Sequence, residues 1–280
     1  MFDSYSYRFG KITYDLGSRT HIMGVLNVTP DSFSDGGKYL KTEDAVAHAI
    51  QMAEDGADFI DVGGRSSRPG SEEISADEEL NRVIPVIKAL KKELKIPVSV
   101  DTYRSEVADE ALSNGANIVN DISAFNFDSA MPRVAAKHKA SCILMHIKGD
   151  PKTMQENPVY DDLIAEVLLY FENAVWKAII AGIDQLIVDP GIGFGKTVEH
   201  NLTLIKYMYE IKKLDCPVMI GVSRKSMIDK ISHADVDNRL SGTTALNTIS
   251  VLNGVNILRV HDVKEAVQAA KIIDAYKKIK

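Results

Sequence analysis

The sequence predicts an α/β protein, a closed (β/α)8 TIM barrel with a short N-terminal hairpin, and three observations carry that prediction. Eight short apolar runs recur along the 280 residues, helical patterns separate them, and each run ends in polar side chains. Strands that read as continuous apolar runs are covered on both faces, which is the mark of parallel strands in βαβ units. Eight such units close a ring, and α/β barrels of about 250 residues form around one core. A single domain over residues 1–280 is therefore expected.

Ahead of the first run, Tyr7, Phe9, Ile12, Tyr14 and Leu16 mark a short hairpin placed to cover one barrel end. The strand runs are 22–26, 59–62, 98–100, 118–119, 142–145, 186–188, 218–222 and 257–258. Helices are predicted over 43–55, 77–95, 104–114, 161–181, 199–213 and 263–278, where apolar residues stand three and four apart and turn one face to a core. In the second helix Ser75 and Glu78 have the spacing of a capping box, and Pro85 predicts a kink because it removes a backbone donor. Gly56, Gly115 and Gly182 stand where a helix hands over to the next strand, positions suited to a left-handed residue.

With 45% apolar and 26% charged residues the chain can bury a large core. A net charge of −6 argues against nucleic acid or a membrane surface as partner, since either needs a broad positive field. Cys142 and Cys216 sit in apolar runs without CxxC spacing and read as reduced core thiols. The N-terminal residues have no secretory pattern and no run is long enough to span a membrane, so a cytoplasmic location is expected.

The polar groups after the apolar runs are Asn27, Asp61 with Gly63 and Gly64, Asp101, Asn120 with Asp121, His146, Asp189, Ser223 with Arg224 and Lys225, and Arg259 with His261. Any one alone is an ordinary turn or N-cap residue. All eight sets together converge on one mouth, because barrel active sites lie at the C-terminal strand ends. The first loop, 27–37, has eleven residues where a βα connection usually has about 2 to 6, and reads as a lid. The second, 63–71, combines glycines, hydroxyls, Arg65 and Arg68, a composition suited to an anion. Asp101, Asn120 and Asp189 offer the acceptors and the amide that read the donor-rich edge of a planar heterocycle.

Other signals carry less. Segment 191–197 resembles a phosphate loop but has three residues between Gly191 and the Gly195-Lys196 pair where that motif needs four. His48, His138, His200 and His233 lie away from strand ends and receive no role. A zinc barrel is disfavoured because the first strand has no His-x-His pair and His146 and His261 alone stand near strand ends. A Schiff-base lysine at Lys148 or Lys225 is disfavoured because neither has an evident apolar pocket to depress its pKa.

The run Met23-Gly-Val-Leu-Asn-Val-Thr-Pro-Asp-Ser-Phe-Ser-Asp-Gly-Gly37, with Asp61-Val-Gly-Gly64 and Ser67-Arg-Pro-Gly70, closely resembles the dihydropteroate synthase family of the folate pathway. Further matches are Asp101-Thr102, Val119-Asn-Asp-Ile122, Leu144-Met-His146, Asp189-Pro-Gly-Ile-Gly-Phe-Gly-Lys-Thr197, Ser223-Arg-Lys-Ser226 and Arg259-Val-His-Asp-Val263, in order from residue 21 onward. The resemblance implies a Mg²⁺-dependent transferase, a homodimer and sulfonamide target, that joins p-aminobenzoate to 6-hydroxymethyl-7,8-dihydropterin diphosphate. It implies that Asp101, Asn120, Met145, Asp189 and Lys225 bind the pterin, and that Ser67, Arg68, Arg259 and His261 clamp the diphosphate. Asn27 would hold Mg²⁺, and Phe33, Pro69, Phe194 and Ser226 would border p-aminobenzoate. Diphosphate would depart first, leaving a pterin methylene cation that the aniline nitrogen attacks, with Asp31 or Asp35 stabilising the developing positive charge.

The chain departs from the family at Arg65, where a glutamate is common, at Ser67, commonly threonine, and at Ile147-Lys148, commonly Met-Gln. A pterin-dependent methyltransferase of the same fold would share Asp101, Asn120 and Asp189 but has no need of a diphosphate clamp. A non-catalytic pterin-binding paralogue would not need Asn27, Lys225, Arg259 and His261 together.

Overall fold

The computed structural model describes residues 4–29, 38–65 and 73–279. Strands β1 (Ser6–Phe9) and β2 (Ile12–Asp15) form an antiparallel hairpin in which Tyr7 faces Tyr14. Eight parallel strands follow: β3 (His21–Asn27), β4 (Phe59–Gly63), β5 (Val98–Asp101), β6 (Ile118–Asp121), β7 (Ser141–Met145), β8 (Leu186–Asp189), β9 (Met219–Ile220) and β10 (Ile257–Val260). Their order is β8-β7-β6-β5-β4-β3-β10-β9. Val188 of β8 bridges Val218 just ahead of β9, and its N–H donates to the Pro217 carbonyl at 3.0 Å, which brings the two ends of the sheet together. The predicted barrel and hairpin are both present.

The helices are α1 (Lys38–Glu54), α2 (Ala76–Glu93), α3 (Ser105–Asn114), α4 (Met131–His138), α5 (Leu163–Ala181), α6 (Val198–Lys206), α7 (Met208–Ile211), α8 (Ser226–Ser232), α9 (Leu240–Leu252) and α10 (Val263–Lys277). None among the described residues is long and apolar enough to cross a membrane. Three of them, α4, α8 and α9, lie outside the predicted stretches. The first two are too short for an apolar period to register, and α9 is rich in serine and threonine, which are poor helix formers. The helix predicted over 199–213 breaks at Tyr207, whose φ of −103° and ψ of 27° leave the helical region without a glycine or proline to announce it. Gly56, Gly115 and Gly182 all take positive φ as predicted.

The capping box predicted at α2 is half made. Ser75 Oγ accepts the Glu78 N–H at 3.1 Å, but the Glu78 carboxylate turns to Arg82 at 2.5 Å instead of the Ser75 N–H. A complete box forms at α6, where the Thr197 hydroxyl and the His200 ring satisfy each other's backbone donors. Helix α2 continues through Pro85 without a break.

Two cores result from the period of two along each strand. Outward residues such as Ile22, Val62, Val100, Val119, Leu144 and Val188 pack against the helices. Inward ones, Met23, Phe59, Ile118, Ile143, Ile187, Met219 and Ile257, meet Tyr7, Phe9 and Leu16 from the hairpin side. Phe9 stands edge-on to Phe59 with centroids 5.2 Å apart, and the Tyr7 hydroxyl donates to the Leu186 carbonyl at 2.8 Å. The hairpin therefore stops the N-terminal end of the barrel with apolar rings and pairs the buried Tyr7 hydroxyl. Cys142 and Cys216 are buried free thiols, and burial pushes the Cys216 pKa up to about 11, so both behave as core residues.

Replacing Phe9 with alanine should remove about 3 kcal/mol or more of stability, the usual cost of emptying a buried phenylalanine site. Urea unfolding of the two proteins measures this, and an unchanged midpoint would show that the hairpin does not stop the barrel.

Candidate active site

The inward row that begins with the apolar plug continues two residues later with four polar groups and one methionine. Phe59 is followed by Asp61, Ile118 by Asn120, Ile143 by Met145, Ile187 by Asp189 and Ile257 by Arg259. Strand alternation puts these five on the same interior side as the plug, one layer nearer the C-terminal mouth. Asp101 joins them from the end of β5, its backbone paired in register with Asn120 and Gly63.

Arg259 joins this layer together. Its Nε donates to Asp61 Oδ2 at 2.7 Å and its Nη2 to Asp101 Oδ2 at 2.8 Å. Asn120 Nδ2 donates to the same Asp61 oxygen at 2.9 Å. Asp61 is fully buried, and its Oδ1 has no hydrogen-bond partner among the described residues. On the opposite side, one Asp189 oxygen accepts the Gly191 N–H at 2.7 Å. Lys225 donates to the Ile192 carbonyl and holds its Nζ 4.4 Å from the centre of the Phe194 ring.

Burial dominates the electrostatics. It raises Asp101 to about 6, against the pull of Arg259 and with help from Asp61. Burial also raises Asp189, against the Gly191 N–H and the charges of Lys225 and Arg259. Lys225 falls to about 8, chiefly through burial, with Asp189 opposing and Arg259 adding to the fall. This corrects the expectation that Lys225 lacks an environment to depress its pKa: burial supplies one, with the Phe194 ring of the loop after β8 lying 4.4 Å from its Nζ, a contact that sequence spacing does not show. For Arg259 burial acts downward, but Asp61 and Asp101 outweigh it and the group is held more firmly protonated than usual.

The structure brings together Asp101, Asn120, Met145, Asp189, Lys225 and Arg259 around one interior space. Asn27 closes β3 beside it, its Oδ1 near Gly63 and Asp101 at the same rim. His261 follows β10 and its Nδ1 lies 3.0 Å from the Ser223 hydroxyl. Ser226 opens α8 on the exposed side, and Phe194 is half-buried. Asp31, Phe33, Asp35, Ser67, Arg68 and Pro69 lie outside the described residues.

Some strand-end groups serve the scaffold instead. Asp121 accepts from Ser123 and Phe125 and caps its own loop, and Arg224 turns away to pair with Asp262 through two bonds. Arg65 lies on the Tyr103 ring, 4.3 Å from its centre. Lys148 pairs with Glu166 at 2.6 Å and caps the Tyr160 ring at 4.1 Å, which accounts for the extra charge in that loop. Two residues escaped sequence reasoning. Asp61 was visible as a strand end, and the inward period from Phe59 could have assigned it; Lys196, buried against His146, gave no signal beyond the rejected glycine motif.

The chain matches the family described as pterin binding enzyme over residues 23–261. It is 48% identical over 269 residues to the dihydropteroate synthase of Synechocystis sp., covering 95% of this chain and 93% of that one. Among solved structures, the dihydropteroate synthase of Yersinia pestis with a sulfonamide drug complex superposes with a TM-score of 0.93 at 40% identity, over 98% of this chain and 100% of that one. The Xanthomonas albilineans dihydropteroate synthase with 4-aminobenzoic acid gives a TM-score of 0.93 at 37% identity, over 99% and 100%.

Asp61→Ala should cost about 3 kcal/mol of stability, because it leaves the Arg259 guanidinium with Asp101 alone and the buried Asn120 amide without its acceptor. Denaturant unfolding measures it; a loss under about 1 kcal/mol would mean that Asp61 does not organise the layer.

Proposed function

The chain belongs to the pterin-binding enzyme family, and from that premise we propose that it is a dihydropteroate synthase, a single-domain transferase that condenses 6-hydroxymethyl-7,8-dihydropterin diphosphate with p-aminobenzoate and releases diphosphate. The observation that carries the reading is the interior layer in which Asp101, Asn120 and Asp189 face one space with Lys225 and Arg259. Carboxylates take the amino and ring N–H donors of a pterin, the Asn120 amide reads a ring acceptor or donor, and Met145 supplies an apolar wall. Each hydrogen bond to a charged group adds about 1.5–3 kcal/mol.

Arg259 and His261, with Ser67 and Arg68 of the second loop, clamp the diphosphate. Arg259 then exchanges part of its bridge between Asp61 and Asp101 for phosphate oxygens, a trade of one anionic partner for another. Asn27 suits Mg²⁺ as a neutral oxygen donor at the rim, and no group of three or more acidic, histidine or cysteine side chains among the described residues forms a cage, so the substrate oxygens and water would complete the shell. Bound there, Mg²⁺ would neutralise charge on the departing diphosphate. Departure leaves a methylene cation stabilised by the electron-rich pterin, and the aniline nitrogen attacks it without a protein nucleophile and passes its surplus proton to the departing diphosphate. Asp31 or Asp35 is assigned the stabilisation of that cation, and the first loop, whose residues 30–37 lie outside the described ones, would act as the lid that excludes water.

The aminobenzoate subsite comprises Phe33, Pro69, Phe194 and Ser226, and sulfonamides that mimic this substrate would enter the same place. The protein acts in the cytoplasm as a homodimer. Ile249 and Leu252 on α9 and Ile272 and Tyr276 on the adjoining α10 are all exposed and supply apolar surface for that contact.

Incubation of the purified protein with both substrates and Mg²⁺ should release diphosphate in step with dihydropteroate; formation of neither would overturn the reading. Arg259→Ala should weaken binding of the pterin diphosphate several-fold or more, through the loss of charge-assisted bonds, whereas Asp189→Asn should lower affinity for the pterin without its diphosphate as well. Calorimetry with pterin and with pterin diphosphate separates the two.

Because Asp101 must be ionised and Lys225 protonated to bind, kcat/KM for the pterin diphosphate should fall below about pH 6 and above about pH 8. Asp101→Asn should abolish the acid limb, and a profile flat from pH 5 to 9, a span of roughly four units, would remove both groups from pterin binding.

A further inference from the structure

The glycine-rich segment 191–197 fails as a phosphate loop, yet it is built around a cation of its own. Lys196 Nζ is enclosed by four acceptors: His146 Nδ1 at 2.8 Å, the Phe194 carbonyl at 2.9 Å, the Gly191 carbonyl at 3.1 Å and the His146 carbonyl at 3.4 Å. An ammonium carries three N–H donors and no acceptor, so this cradle suits the protonated amine; a neutral one would aim its lone pair at an acceptor. Burial draws the Lys196 pKa well below the usual lysine range, and the Asp189 carboxylate opposes the fall. The same desolvation, with Lys196 adding to it, lowers His146 to about 2 and keeps its ring a neutral acceptor.

The backbone around this lysine has no slack. Gly191 has a φ of +67° and Gly195 a φ of +64°, and a Cβ on them would lie 1.9 Å from the His146 carbonyl oxygen and 2.2 Å from that of Lys148. The turn is thus pressed onto the segment after β7. Its other side carries Phe194, whose ring sits under the Lys225 ammonium. The Gly193 N–H donates to Asn201 at 2.9 Å and the Tyr160 hydroxyl to the Gly195 carbonyl at 2.8 Å, so the turn is held from α6 and from the loop before α5 as well.

We propose that Lys196 is a positioning residue for the second substrate: by gathering the Gly191 and Phe194 carbonyls onto His146, it fixes the Phe194 ring at the edge of the p-aminobenzoate subsite. The proposal rests on the function given above, in which Phe194 borders that substrate. It gives the glycine motif a purpose that its spacing denied it, with the cation inside the loop instead of an anion outside.

Lys196→Met keeps the apolar stem and removes the donors. In steady-state kinetics of the full chain with both substrates and Mg²⁺, the KM for p-aminobenzoate should rise about ten-fold or more, while the KM for pterin diphosphate changes by less than about three-fold, because Asp101, Asn120 and Asp189 stand on strands. An unchanged aminobenzoate KM overturns the proposal, and so does an equal rise in both, which is what a general loss of structure would give. If Lys196→Met does not fold, as judged by its circular dichroism, His146→Leu removes one acceptor and leaves the lysine; it should raise the aminobenzoate KM selectively, and no change again overturns the proposal. Phe194→Ala separates the two levels of inference. A raised aminobenzoate KM there beside a normal one in Lys196→Met defeats the positioning role alone, whereas no effect in Phe194→Ala removes the subsite assignment and the role of Lys196 with it.

Discussion

A guanidinium inside a barrel has to be paired, and the pairing of Arg259 with Asp61 and Asp101 is the constraint around which the site is arranged. An unpaired buried charge costs several kcal/mol, so neither carboxylate nor arginine could stand there alone. Asp61 answers this from β4, where its fully buried carboxylate takes both the Arg259 Nε–H and the Asn120 amide. Three strands, β4, β6 and β10, are thereby joined across the interior by side chains as well as around it by the backbone. The arginine is held in one orientation by two anions, Asp61 and Asp101.

This polar layer is possible because the layer below it is dry. The hairpin rings and the first inward residues of the strands fill the N-terminal end, so water reaches the interior from the mouth. Low polarity beneath the site raises Asp101 and Asp189 and lowers Lys225, moving all three toward the neutral range in which a ligand's charge can shift their protonation. Floor and mouth are coupled through the strand period of two: the residue that packs toward the hairpin and the residue that faces the mouth are neighbours but one on the same strand.

How well each site residue could be read from sequence depended on how locally its role is specified. Asp101, Asn120, Asp189 and Arg259 end apolar runs, and barrel geometry alone brings strand ends together, so they were legible without any contact being known. Asp61 was seen but given no role, because its partners are 59 and 198 residues away in the chain. Lys196 was discounted with its motif, since spacing reports the absence of a phosphate cradle and says nothing of an ammonium folded into one. Arg224 and Lys225 looked alike as adjacent cations; a positive φ of 57° at Arg224 sends the first to Asp262 and leaves the second facing the interior.

By itself the sequence determined the architecture and the membership of the mouth. Both follow from local periods: apolar runs against helical spacing give eight βα units, and eight units close with their polar ends together. Helices α4 and α8 escaped because they are too short for a period to register, and α9 because its serines and threonines are poor helix formers. The tertiary structure alone decided which charge pairs with which, which lysine lies inside and how far burial moves each carboxylate. Those quantities depend on distances between residues that the chain separates by up to 198 positions, and on the exclusion of water from a space that no single segment encloses.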